Sequence, residues 1–452
     1  MKKNFIKNLI FIFIFSCNSF DNEVTYFGGK IINKTSDKIS LLKDENILNE
    51  SLISNDDVFF MSIDSIADGL YNFKHLPEFQ YLIFETADSL VMRLNAIDFD
   101  ESLVFTGKGA SKNNYLIDVF LKHEDEESFL NSKLRDNPDI FKMIIDSLLT
   151  IKKLKFKNFQ KFKKTNKTSN LIIDHAIKLP LYSKLETYIS GLKQNNKLDL
   201  ISKEYYNFRE DISLNISELT NFKPYLDYII FRINNIPKTN FNSYSNLDLQ
   251  FNLDKIRFVD TKITDSNIRS KVLRYIAFEY LLKENILIDI DTFLNTFLKI
   301  SVDQKTNLEI QQLYVNIISL QKGKYLPNIE LTDINNDIRI ANNFQFDRPI
   351  IYTFWSYEQN SHQISLFNRI FEFLNTNTKY QFHCININSN KMKWKESLEK
   401  IRRSKHITHF ISNDFNKMSK KMVLNNLNKI KITDKEGKVT SISSINKLNN
   451  YD

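Results

Sequence analysis

Arg348-Pro349-Ile350-Ile351-Tyr352-Thr353-Phe354-Trp355-Ser356-Tyr357-Glu358-Gln359-Asn360-Ser361-His362 is the stretch whose reading decides the fold of the last third of this chain. Residues 350–355 form a continuous apolar and β-branched run of strand length, the pattern of a strand buried on both faces. Beyond it, Ile364, Phe367, Ile370, Phe371 and Leu374 recur at helical spacing, and Tyr380-Gln381-Phe382-His383-Cys384-Ile385-Asn386-Ile387 is a second buried-type run. Strand, helix, strand in that order needs a crossover, so a parallel pair is expected. Upstream, Ile329 to Asp333 and the turn Asn335-Asn336-Asp337 lead into a second short strand. Downstream come a polar helix around Lys391 to Arg403 and a hairpin, in which Lys429 to Thr433 and Lys438 to Ser441 flank Asp434-Lys435-Glu436-Gly437.

Working outward, residues from about Asn114 to Leu320 read as largely helical, with Phe141, Ile144, Ile145, Leu148 and Leu149 at three- and four-residue intervals. One strongly basic stretch lies there, Lys152 to Lys164, interleaved with Phe156, Phe159 and Phe162. It is expected to be the solvated face of an amphipathic helix whose phenylalanines pack inward, with a membrane-surface or phosphate-binding helix as the sharper alternative. From Val24 to about Thr106 the period is two: Tyr26 to Ile32, Lys38 to Leu42, Gly69 to Phe73, Tyr81 to Phe84 and Leu90 to Leu94 are short runs separated by turn residues, which predicts an antiparallel β-sandwich.

Length and composition agree with several domains. A chain of 452 residues exceeds one hydrophobic core, and 42% hydrophobic with 26% charged residues is a globular balance. The net charge of +8 is spread along the chain among acids, which argues against a nucleic-acid partner. At the start, Lys2, Lys3 and Lys7 precede the apolar run Leu9 to Phe15, the layout of a secretory signal peptide. Ile14-Phe15-Ser16-Cys17 follows and resembles a bacterial lipobox, so Cys17 is expected to become a lipidated N-terminus that holds the protein to a membrane by acyl chains. Cys384 is then the remaining thiol, and no intrachain disulfide is expected.

The C-terminal motifs resemble the TlpA/ResA type of membrane-tethered thioredoxin-fold proteins, particularly their Bacteroidetes lipoproteins. Gly323-Lys324-Tyr325-Leu326-Pro327 with Ile329 to Asp333 looks like the family's opening hairpin, Phe354-Trp355 like the end of its first core strand, and Ile432 to Val439 like its closing hairpin. Together with the patterns above, the resemblance gives an α+β multidomain chain: signal peptide 1–16, lipidated tether 17–23, β-sandwich 24–113, helical region 114–320 and, as the resemblance implies, a thioredoxin-like α/β domain 323–452. It implies a Cys-x-x-Cys site after Phe-Trp, and here Gln359 and His362 stand at the two cysteine positions. It also implies a cis-proline before the closing hairpin, where this chain has Asn425-Asn426-Leu427-Asn428-Lys429.

Thiol–disulfide exchange needs a thiolate at a helix start and a resolving thiol one turn on. Neither an amide nor an imidazole can form a mixed disulfide. The leading expectation is therefore a redox-inactive envelope lipoprotein, with no cofactor and no metal, that binds an envelope protein or peptide on the periplasmic side of the outer membrane. Alternatives are an oxidoreductase working with a partner's cysteine, a hydrolase built on His362, and a structural protein using its helical middle. Cys384 reads as an inert buried thiol. His406 and His409, three apart, could share a helix face with a metal, without a third ligand at convincing spacing.

Overall fold

The computed structural model describes residues 24–236, 247–283, 289–341 and 347–451. Cys17 and the expected signal peptide lie outside them. The chain divides into two compact units, Met1–Ile236 and Pro237–Asp452, so the helical stretch read from 114 to 320 is shared between them.

The first unit holds eight strands in two four-stranded sheets. β4 (Val58–Ile63), β1 (Thr25–Ile32), β7 (Ser89–Asn95) and β8 (Val104–Lys108) form one; β3 (Asn46–Leu52), β2 (Lys38–Lys43), β5 (Gly69–His75) and β6 (Glu78–Phe84) form the other. Phe27, Leu90 and Met92 from the first share one core with Leu41, Phe73 and Leu82 from the second, which makes the pair a sandwich. The Phe27 ring centres it, lying 5.2 Å from Phe59, 5.9 Å from Phe73 and 6.0 Å from Phe84. The expectation of a purely antiparallel arrangement needs correcting: β1 and β7 run parallel. β7 returns from the opposite sheet instead of through a hairpin, and a crossover permits either direction. A Cβ on Gly29 would sit 2.2 Å from the Met92 carbonyl oxygen, so glycine is what lets these two strands approach.

Helices α1 (Phe99–Ser102), α2 (Ala110–Lys133), α3 (Pro138–Phe162), α4 (Lys167–Gln194) and α5 (Lys223–Asn234) complete this unit. α3 starts where Pro138 occupies the first turn and the Asn137 side chain accepts the Asp139 N–H. Near the start of α2 the buried Lys112 ammonium meets the buried Asp88 carboxylate at 2.6 Å, joining helix to sandwich.

The second unit begins with α6 (Leu247–Lys262), α7 (Ser266–Leu281), α8 (Ile290–Ile300) and α9 (Gln304–Ser319). A seven-stranded sheet follows, built from β9 (Glu330–Asp333), β10 (Ile338–Ile340), β11 (Ile350–Trp355), β12 (Gln381–Asn386), β13 (Ile407–Ser412), β14 (Lys429–Thr433) and β15 (Val439–Ser444) in the order β10-β9-β13-β12-β11-β14-β15. α10 (Asn360–Thr376), α11 (Lys391–Leu398) and α12 (Phe415–Lys421) connect the strands. β9 and β10 form the opening hairpin, β11 and β12 the parallel pair, and β14 and β15 the closing hairpin.

Both faces of this sheet are covered. Ile351, Cys384, Ile411, Ile430 and Ile432 pack with Leu366, Ile370 and Phe373 of α10 on one side. Tyr352, Phe354, Ile385 and Phe410 pack with Leu320 and Met418 on the other. The polar helix expected to reach Arg403 ends at Leu398, and β13 is an additional strand parallel to β12. Thr408 and His409 interrupt its apolar run, which hid it from a reading by hydropathy.

Candidate functional site

All six residues of β11 are buried, and the chain leaves the sheet at Ser356. The loop that follows is clamped to the loop after β12. Ser356 Oγ donates to Asn388 Oδ1 at 2.9 Å, the Tyr357 N–H donates to the same oxygen at 3.1 Å, and the Glu358 N–H donates back to Ser356 Oγ at 3.1 Å. Asn388 is fixed in turn by its own N–H on Asn386 Oδ1 at 3.0 Å. This small polar network holds the loop that leads into α10.

Gln359 is the N-cap of α10, exposed, its side chain making no capping hydrogen bond while its carbonyl accepts the Gln363 N–H at 2.9 Å. His362 stands in the first turn and is half-buried. Neither of its ring nitrogens has a hydrogen-bond partner of good geometry. Burial lowers its pKa below the usual histidine value, and the Asn428 side chain acts more weakly in the opposite direction. Asn428 is an exposed turn residue immediately before β14, its carbonyl accepting the Ile445 N–H at 2.7 Å. The structure thus brings together the three positions singled out in the sequence: Gln359 and His362 share a helix start, and Asn428 comes to His362 from a different loop. That start offers exposed amide chemistry and an imidazole whose neutral form is favoured, and no thiol.

Cys384 is the one free cysteine among the described residues. It is fully buried in β12, and burial pushes its thiol up to about 12, against a smaller opposing effect of Thr353. His406 and His409 do not share a helix face, because His409 lies in strand β13 and His406 in the turn that precedes it. His406 Nδ1 lies 3.1 Å from an Arg348 guanidinium nitrogen. His409 faces Phe367 with 5.8 Å between ring centres, and burial holds its pKa near about 4. Among the described residues, no group of three or more His, Cys, Asp or Glu side chains is placed to hold a metal ion.

The basic stretch forms the second half of α3, with Phe156 buried and Phe159 stacked on Tyr115 at 4.5 Å. Phe162, expected to face inward, is 83% exposed at the last helical position. Lys152, expected on the solvated face, is buried and ion-paired to Glu126 at 2.9 Å. Position on the helix explains both: Lys152 and Phe156 follow Ile145 and Leu149 along the packed face, whereas Phe162 has turned away from it. The clamp residue Asn388 and the buried Lys431 of β14 were not picked out from the sequence. A polar residue after a strand and an alternating Lys-Ile-Lys-Ile run gave no signal that distinguished them.

No family model matches this chain, and no curated protein matches it. The comparison with solved structures does return matches. The structural neighbours are thioredoxin-like. The thioredoxin domain of a thiol-disulfide oxidoreductase from Bacteroides vulgatus is similar to 29% of this chain over 95% of its own length, at 16% identity and a TM-score of 0.23. A thiol:disulfide interchange protein from a Bacteroides species matches 29% of this chain over 88% of its own, at 16% identity and a TM-score of 0.24. A thioredoxin-like protein from Bacteroides caccae matches 60% of this chain over 92% of its own, at 13% identity and a TM-score of 0.34.

Proposed function

We propose that the C-terminal domain is a thioredoxin-like binding or assembly module without thiol–disulfide activity, carried by an exported protein that a lipid on Cys17 holds in the cell envelope, on the periplasmic side of the outer membrane. One observation carries the reading: the start of α10 bears Gln359 and His362, and Cys384 is sealed inside the sheet. Exchange begins when a thiolate attacks a disulfide sulfur, forming one S–S bond and releasing the other thiolate. Cys384 has neither the access nor the acidity for that attack. A helix start flanked by a loop can still hold an extended peptide through backbone groups, which is the kind of partner proposed here.

The test is reduction of insulin by dithiothreitol with and without the purified protein. The expected rate equals that of the buffer control. Turnover by the native protein that disappears in Cys384→Ser would replace this reading with a single-cysteine mechanism. The anchor is tested separately by metabolic palmitate labelling, which Cys17→Ala should abolish; labelling that survives the substitution removes the lipid anchor from the proposal. A partner is sought by crosslinking in envelope fractions.

A further inference from the structure

On the face of the seven-stranded sheet opposite α10 lies a cavity of about 260 Å³. Leu281, Ile317, Leu320, Val439 and Ile442 give it apolar walls. Among the described residues its charged lining consists of Lys283, Lys322, Lys429 and Lys431, with no acidic side chain.

Lys431 is the unusual member. It sits on β14 between Ile430 and Ile432, which point into the α10 core, so alternation turns the lysine to the other face. It is only 1% exposed. Lys283 is neutralised by Asp248 at 2.7 Å, and Lys429 donates to the Val423 carbonyl at 3.3 Å. The Lys431 ammonium has no ion pair or hydrogen bond among the described residues. Withdrawing an ammonium from water without a counter-charge costs several kcal/mol, and burial accordingly drives its pKa well below the ordinary lysine value, with Lys429 adding to the effect. A methionine of similar shape would fill the same space without this cost. A chain that keeps the amine here, beside an apolar hollow, has a site whose missing component is an anion with an apolar body.

We propose that this cavity binds an acyl carboxylate, its head group on the Lys431 ammonium and its chain against Leu281, Ile317, Leu320, Val439 and Ile442. The bound carboxylate supplies the counter-charge, so the amine takes up a proton as the ligand enters. Lys322, exposed at the rim, adds positive potential that favours approach of an anion. This site does not depend on whether the start of α10 is redox-silent.

The experiment is isothermal titration of the purified full chain with decanoate, using decanol and acetate as the tail and the head alone. Decanoate should bind at least about tenfold more tightly than either and should lose at least about tenfold in Lys431→Met. The binding heat should change with the ionisation enthalpy of the buffer, reporting the proton taken up by Lys431. Equal affinity for decanoate and decanol, equal decanoate affinity in Lys431→Met, or no binding of decanoate overturns the proposal. If Lys431→Met fails to fold, the native chain still decides: decanoate should slow reductive methylation of Lys431, read by peptide mass spectrometry, and an unchanged rate overturns it.

Discussion

Cys384 of β12 lies directly opposite Thr353 of β11 in the parallel pair at the middle of the seven-stranded sheet. The thiol is therefore enclosed by two strands and by the α10 core, with no route to solvent that leaves the sheet intact. It should react with Ellman's reagent only as fast as the domain opens, and fully within the mixing time once denaturant is added. Stoichiometric reaction in native buffer would mean that Cys384 is accessible and would reopen the question of thiol chemistry.

Gln359 and His362 occupy the N-cap and first turn of α10, three residues apart. Helical residues at this spacing have Cβ atoms about 5–6 Å apart, and a disulfide needs about 3.5–4.5 Å, a difference that a small backbone shift at the start of the helix closes. Gln359→Cys with His362→Cys should therefore lose both new thiols under mild oxidation and show weak insulin reduction above the native protein. If both thiols stay titratable after oxidation, the assignment of these positions to the two cysteine places is wrong.

The Lys112–Asp88 pair is a stability test for the sandwich. Burial pushes the Asp88 carboxyl above its usual value, while Lys112 and the Glu85 N–H pull it back. Lys112→Met leaves a buried carboxylate without its cation and should cost about 3–5 kcal/mol in urea unfolding. Adding Asp88→Asn should recover part of that loss. A cost within the scatter of ordinary surface changes would mean that water reaches the pair.

His383 and His409 make the second unit acid-sensitive. Burial lowers both, to about 3 and about 4 respectively, while in the unfolded chain each takes up a proton near about pH 6.5. The native state then binds fewer protons than the unfolded one between these values, so stability is fully present above about pH 6.5 and falls as the pH drops toward 4, by about 1.4 kcal/mol per pH unit for each histidine. His409→Phe should flatten the loss measured by urea unfolding at pH 7.5 and 5. An unchanged slope would show that His409 titrates normally.

The sequence by itself determined the kinds of element and which side chains stand at the start of α10. A six-residue β-rich apolar run reads as a strand covered on both sides, the spacing of Phe367, Ile370 and Leu374 as one buried helix face from which Ile364 near the helix start departs, and an amide and an imidazole cannot exchange disulfides. Local patterns carry that information because burial repeats with the period of the backbone. They did not carry β3, whose Asn-Ile-Leu-Asn-Glu-Ser-Leu sequence has no alternation and pairs at a sheet edge, nor β13, where His409 stands in an apolar run. Only the tertiary structure decided which neighbours cover a given residue. In sequence Lys429-Ile430-Lys431-Ile432 reads as two lysines outward and two isoleucines inward; β14 is an inner strand with packing on both faces, so Lys431 is buried and Lys429 stands at the cavity rim. The meeting of His362 with Asn428 likewise comes from a helix start and a turn 66 residues apart, and long-range contact of that kind leaves no periodic trace in a single chain.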